Sequence, residues 1–287
     1  MDNPYKIAVV QHPPVFLNLS ESVQLGLKYV REATANGARL IVFPETWLPG
    51  YPVWLDYAPK AGLWDFPPAK ALFNILYRNS IKIGDSHFEA FQKIAQDEQC
   101  VVVMGAHEKV GRTLYNTIFY FLPDGTYQLH RKLMPTYTEK LIWGMGDGST
   151  QWPMVKELHQ TASKHYAFEA QCYVIAAGCT LTKQQMLDGI NSTLQTNKEQ
   201  EALELIESIP VDFSEQLLQG GSAVIKPNSE YLVEPVYSTS TIIFAELDLS
   251  SIIEGNLFLD TNGHYSRPDI FQLTVDTKPK QNVVFKK

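Results

Sequence analysis

Positive charge is scarce in this chain. Lys and Arg number 24 against 31 Asp and Glu, the formal net charge is −7, and no basic run exceeds His130-Arg131-Lys132. Clustered positive charge is what draws proteins to nucleic acid and to anionic membrane surfaces, so no nucleic acid and no membrane partner is expected. Cysteine is also sparse. Cys100, Cys172 and Cys179 form neither a disulfide framework nor a metal-ligand spacing, which fits a reduced, cytoplasmic protein. No apolar run approaches bilayer length, and Met1-Asp2-Asn3-Pro4 lacks the basic start of a secretory signal. What is present is globular: 287 residues, 45% apolar and 19% charged, long enough to bury a sizeable core.

Along the chain, Lys6 to Gln11 reads as a buried strand stopped by Pro13-Pro14. Glu21 to Asn36 carries Val23, Leu27, Val30 and Ala33 at helical spacing, with Ser20 as its expected N-cap and Gly37 near its exit. Ala38 to Phe43 is a second apolar strand ending in Pro44-Glu45, and strand–helix–strand order with short connections predicts an α/β protein. Trp47 to Pro68, rich in Pro, Gly and aromatics, reads as a structured loop. Ser86 to Asp97 reads as a helix and Cys100 to Gly105 as a third buried strand. Leu114 to Leu122 and Thr126 to His130 flank the turn Pro123-Asp124-Gly125. Later strands are expected at Ala170 to Ala177, Ser222 to Lys226, Tyr231 to Val233 and Thr241 to Leu247, and a short helix at Ser250 to Asn256. Gln184 to Glu207 is polar, either a surface insertion or a partner-facing helical region. Near-continuous apolar strands such as Val101 to Met104 call for a sheet covered on both faces, and the whole predicts stacked sheets flanked by helices.

Three polar residues stand where chemistry is expected. Glu45 follows an apolar strand and precedes Trp47, Tyr51 and several prolines; desolvation there can raise a carboxylate toward general-base range, or the side chain can simply accept loop hydrogen bonds. Lys132, beyond the strand at 126–130, can stabilise developing negative charge beside a carboxylate, or stand solvated. Glu139 is a second carboxylate or an ordinary ion-pair partner. Trp47, Tyr51 and Tyr137 are substrate-wall candidates that can equally be packing residues.

Phe43-Pro44-Glu45-Thr46 with Pro49-Gly50-Tyr51-Pro52, His130-Arg131-Lys132 with Pro135-Thr136, Glu139 with Trp143-Gly144 to Gly148, Gly220 to Ile225, and Gly263 to Asp269 occur in an order that resembles the nitrilase (carbon-nitrogen hydrolase) family, in its nitrile-cleaving branch. The resemblance implies a four-layer α-β-β-α sandwich and one domain over 1–287, with 264–287 as a C-terminal tail. It implies Glu45 as general base, Lys132 as catalytic lysine and Glu139 as supporting glutamate. It also implies hydrolysis of a small-molecule nitrile to a carboxylic acid and ammonia without metal or organic cofactor, and homo-oligomers. In such enzymes a cysteine thiolate attacks the nitrile carbon, and two waters then release ammonia and acid.

The segment that carries that cysteine in the family, a strand, an elbow and a helix followed by a further strand, has no room here. Only 20 residues separate Gly148 from Glu169, whereas those elements need roughly 35 or more. The domain is therefore expected to be interrupted near 148–155, with part of the central sheet missing, and Met154 to Ala170 reads directly as a helix. Cys100 and Cys172 read as core residues; Cys179, at a strand end, is the remaining nucleophile candidate. Three outcomes stay open: an impaired or inactive hydrolase, a non-catalytic assembly subunit, or an active enzyme if Cys179 substitutes or the encoded chain is longer.

Overall fold

A computed structural model describes residues 4–147, 159–261 and 263–279. In chain order the elements are β1 (Tyr5–Gln11), α1 (Leu19–Ala35), β2 (Leu40–Val42), α2 (Trp54–Tyr57), α3 (Pro67–Arg78), α4 (Ser86–Asp97), β3 (Val101–Val110), β4 (Thr113–Phe121), β5 (Tyr127–Arg131), α5 (His159–Glu169), β6 (Val174–Ala176), β7 (Thr180–Thr182), α6 (Lys183–Asn191), α7 (Gln200–Glu207), β8 (Gln216–Ile225), β9 (Tyr231–Tyr237), β10 (Thr241–Leu247) and α8 (Ser250–Gly255). A 3₁₀ turn, Tyr137–Leu141, follows β5.

Six strands form one sheet in the order β10-β1-β2-β3-β4-β5; a second sheet runs β6-β8-β7, with β9 also paired to β8. Strand periodicity sorts the side chains into layers. Val102, Met104 and Ala106 of β3 join Val23, Val30, Phe88 and Phe91 of α1 and α4 in one core. Ile7 and Val9 of β1 meet Val224 of β8 and Ile243, Ala245 and Leu247 of β10 between the sheets. On the far side, Ala167 of α5 packs on Val174 and Ile225. Helices, sheet, sheet, helix: this is the α/β four-layer sandwich of the expectation.

Several local readings shift. Asn18, not Ser20, caps α1, because its side-chain oxygen accepts from the Glu21 amide. β3 runs five residues beyond the expected Gly105, since its partner β4 pairs with it through to Val110. The stretch read as loop up to Pro68 holds α2 and the start of α3, where Pro67 takes the first helical turn that proline tolerates. The polar stretch 184–207 is not a loose insertion. It carries α6 and α7, whose Met186, Ile190, Leu203 and Ile206 pack with Leu72, Ile75 and Leu76 of α3. The expected 170–177 strand keeps only Val174–Ala176, because the backbone amides of Ala170, Gln171 and Cys172 still close the end of α5. The interruption expected near 148–155, and the first part of the helix read from Met154, lie outside the described residues. Beyond α8, Leu257, Phe258, Ile270, Phe271 and Leu273 are exposed. Among the described residues no helix is long and apolar enough to cross a membrane.

Candidate active site

Because Val102, Met104 and Ala106 point to α1 and α4, Gly105 and His107 point to the opposite face of the sheet. His107 pairs with Asn116 across β3 and β4, so Asn116 shares that face. Arg131 pairs with Thr117, on the helix side, which turns Lys132 back toward Asn116. The ladder continues to Lys132, whose amide donates to the Asn116 carbonyl at 2.8 Å.

Glu45 reaches the same place from the end of β2. The amide of Phe43 still donates to Val103, after which Pro44 stops the ladder, and the Leu48 amide returns to the Gly105 carbonyl at 3.0 Å. Gly105 allows this close return. A Cβ built there would fall on the Pro44 carbonyl oxygen and lie 2.6 Å from the Thr46 nitrogen and 2.8 Å from Glu45 Cα. Gly105→Ala is expected to lower stability by roughly 2–3 kcal/mol through displacement of this backbone. Urea denaturation measures it, and a loss below about 0.5 kcal/mol would show that the loop yields freely.

Lys132 Nζ donates to Glu45 Oε1 at 3.1 Å and to Glu139 Oε2 at 2.6 Å, bridging the two carboxylates. Asn116 Nδ2 donates to the same Glu45 oxygen at 2.6 Å, so Glu45 Oε2 stays available to take a proton. Glu139 is oriented by the Thr136 amide and hydroxyl, at 2.6 and 2.9 Å, and by the Tyr51 hydroxyl at 3.0 Å. Lys132 is 6% exposed and Glu139 2%, whereas Glu45 is 27% exposed, so Glu45 is the member of the cluster that solvent or a ligand reaches. Burial and the Glu139 carboxylate push the Tyr51 hydroxyl far above its usual range, which keeps it a donor. The Lys132 ammonium also lies 5.7 Å from the centre of the Trp143 ring.

Sequence reasoning thus nominated three residues that the fold brings into one hydrogen-bonded cluster, together with Tyr51. Trp47 is elsewhere: its indole donates to the His12 carbonyl at 2.7 Å and packs on Phe43 in the core under α1. Tyr137 stands 88% exposed and makes no contact with the cluster among those described. Asn116 and His107 escaped notice, since only cross-strand register brings them in, and Thr136, noted only as part of a motif, joins the cluster through its capping turn.

The thiols are placed differently. Cys179 Sγ lies 3.3 Å from the Thr180 carbonyl and 3.6 Å from that of His12, and burial pushes its pKa up to about 12. Cys100 is buried at the start of β3, with its pKa pushed up to about 11. Cys172 packs with Ala167 and Tyr231 under α5, and burial raises it too. Among the described residues, none of the three has a hydrogen bond to Glu45, Lys132 or Glu139. Among the described residues no group of three or more His, Cys, Asp and Glu side chains is arranged to hold a metal ion. A cavity of about 400 Å³ lies between α1 and α6, lined by His12, Glu21, Tyr29 and Asp188, and another of about 330 Å³ lies among Trp54, Trp64, Phe66 and Leu141; neither contains the cluster.

His107 is fully buried beside the cluster, and burial pushes its pKa down to about 4. The unfolded chain binds a proton on this ring below about pH 6.5, whereas the folded chain binds it only near 4. The stability contributed by the neutral ring is therefore complete above pH 6.5 and is lost as pH falls from 6.5 to 4, by about 3 kcal/mol. Denaturation profiles of wild type and His107→Gln should diverge in that window, the variant losing less; parallel profiles would contradict the assignment.

Comparison with known proteins bears on the family and on the fold. The carbon-nitrogen hydrolase family model matches residues 6–156 and 153–256. The aliphatic nitrilase of Sinorhizobium fredii is 30% identical over 318 aligned positions, covering 98% of both chains. Nitrilase 3 of Arabidopsis thaliana is 32% identical, covering 98% of this chain and 89% of that one. Among solved structures, a CN-hydrolase superfamily protein from Xanthomonas campestris superposes with a TM-score of 0.61 at 12% identity, covering 90% of this chain and 95% of the other. A carbon-nitrogen hydrolase from Helicobacter pylori gives 0.61 at 16% identity, covering 88% and 92%. By family match and by near full-length similarity to nitrilases, this chain belongs to the carbon-nitrogen hydrolase family.

Proposed function

We propose that the chain is a nitrile-hydrolase relative that keeps the base, the amine and the supporting carboxylate of the site but has no thiol to act with them. The observation that carries this reading is the Glu45–Lys132–Glu139 cluster, assembled while Cys100, Cys172 and Cys179 are all engaged elsewhere. In this reading Glu45 Oε2 is the base, Lys132 holds negative charge that develops on a bound intermediate, and Glu139, fixed by Thr136 and Tyr51, holds Lys132 in place. Each of these roles supports a nucleophile, and none replaces it. A length difference supports the missing segment: the alignment with the Sinorhizobium fredii nitrilase occupies 318 positions, more than the 287 residues of this whole chain, so the relative carries residues without counterparts here. The domain is read as one unit interrupted near 148–155 and followed by the tail at 264–287. Ammonia release from nitriles tests the reading directly.

The second reading, a non-catalytic subunit that assembles with itself or with an intact homologue, is favoured by the exposed apolar side chains of Trp64, Leu257, Phe258, Phe271 and Leu273. Light scattering of the chain alone and mixed with an intact nitrilase is expected to show oligomers in at least one case. A monomer in both would remove the assembly role.

A further inference from the structure

The imidazole of His107 is held at both nitrogens. Trp143 Nε1 lies 2.9 Å from Nδ1, and Nε2 lies 3.0 Å from the Gly50 carbonyl oxygen. An indole N–H can only donate and a carbonyl oxygen can only accept, so Nδ1 is bare and Nε2 carries the hydrogen. One neutral tautomer alone satisfies both contacts, and its low pKa keeps it populated at neutral pH.

The two groups joined by this ring belong to different arms of the cluster. Gly50 closes the arm that begins at Glu45 and leads directly into Tyr51, the donor to Glu139. Trp143 belongs to the other arm. Its amide donates to the Glu139 carbonyl at 3.0 Å, and its ring underlies the Lys132 ammonium and meets the Tyr51 ring edge-on at 5.9 Å between centroids. The His107 amide, in turn, donates to the Leu48 carbonyl at 2.8 Å, tying its own strand to the first arm. The ring is therefore the one polar bridge described between the Gly50 turn and the Trp143 indole.

We propose that His107 is a positioning residue: by donating to Gly50 and accepting from Trp143, it sets the Glu45–Tyr51 arm against the Glu139–Trp143 arm around Lys132. What the cluster then does rests on the functional reading above, but the placement does not, because none of the readouts below requires turnover. Failure of the hydrolase reading appears in ammonia release; failure of the present inference appears in the spectra.

Two variants separate positioning from simple packing. His107→Gln presents one acceptor and one donor side by side, whereas His107→Leu fills space and offers neither. In wild type, the Trp143 indole N–H, assigned by its loss in Trp143→Phe, is expected to be protected from hydrogen exchange. The Lys132 ε-methylene protons, assigned through Lys132→Arg, are expected upfield from the ring current of Trp143. The Leu variant should lose Trp143 protection at least tenfold and at least half of the Lys132 upfield shift, and the Gln variant should recover most of both. Wild-type values in the Leu variant, or no recovery in the Gln variant, would overturn the proposal. Should the Leu variant fail to fold, the wild-type imidazole nitrogen spectrum at pH 7 decides. A bare Nδ1 with protonated Nε2 supports the bridge, and the other tautomer or a charged ring overturns it.

Discussion

Purified chain incubated with aliphatic and aromatic nitriles is expected to release no ammonia above a heat-killed control. Attack on a nitrile carbon requires a strong nucleophile, and Cys becomes one only as the thiolate. Burial pushes the thiols of Cys100 and Cys179 up to about 11 and about 12 and raises Cys172 as well, so all three favour the neutral thiol at pH 7. None of the three sulfurs has a described hydrogen bond to the base that would have to draw off its proton. Glu45 and Lys132 can polarise a bound molecule, but lone electrostatic stabilisation acts on a transition state that some nucleophile must first create. Ammonia in excess over protein, retained after repurification and lost in Glu45→Gln, would show that a nucleophile is in place. Loss of that activity in Cys179→Ala would identify it.

The second large effect is structural. Glu108 is fully buried on the helix side of β3, where Arg131 Nε and one terminal nitrogen donate to its two oxygens at 2.7 and 2.6 Å and the Thr117 hydroxyl adds a bond at 2.8 Å. The guanidinium also lies 4.7 Å from the centre of the Tyr115 ring. Removing one partner strands a buried charge, so Arg131→Met is expected to lower stability by about 3–5 kcal/mol. Replacing both partners removes the buried Glu108 charge as well, so the double variant Glu108→Leu, Arg131→Met should recover more than half of that loss. A loss under about 1 kcal/mol in the single variant, measured by urea denaturation, would show that Glu108 finds another partner or a proton at little cost.

How legible the molecule was in its sequence depends on the range of the interaction that decides each element. Thr241–Leu247 and Ser86–Asp97 lie where pattern placed them, because apolar strand composition in the one and a local Asp85 cap with helical spacing in the other settle them within a few residues. α3 was hidden by Pro67 and Pro68, which look like loop material yet occupy first-turn positions; Leu72, Ile75 and Leu76 at helical spacing were the available signal. α6 and α7 were hidden by surrounding Gln, Lys and Glu, which form the wet faces of helices whose apolar faces meet α3. In the site, Glu45, Lys132 and Glu139 could be named because each sits in a recognisable segment. Asn116 and His107 could not, because their roles follow from β3–β4 register, which composition does not encode. Trp47 and Tyr137 show the converse: an aromatic next to a site motif can belong to the core or to solvent.

The central claim is that the acid–amine cluster stands without a reactive sulfur, and intact-mass spectrometry tests it most directly. A thiolate adding to an activated nitrile such as a cyanopyridine forms a thioimidate with no leaving group, so the protein would gain the mass of the whole nitrile. The folded chain is expected to keep its unmodified mass after prolonged incubation at pH 7, while the unfolded chain takes up three equivalents of a thiol alkylating agent. An adduct on the folded chain that maps to Cys100, Cys172 or Cys179 and disappears in Glu45→Gln would contradict it.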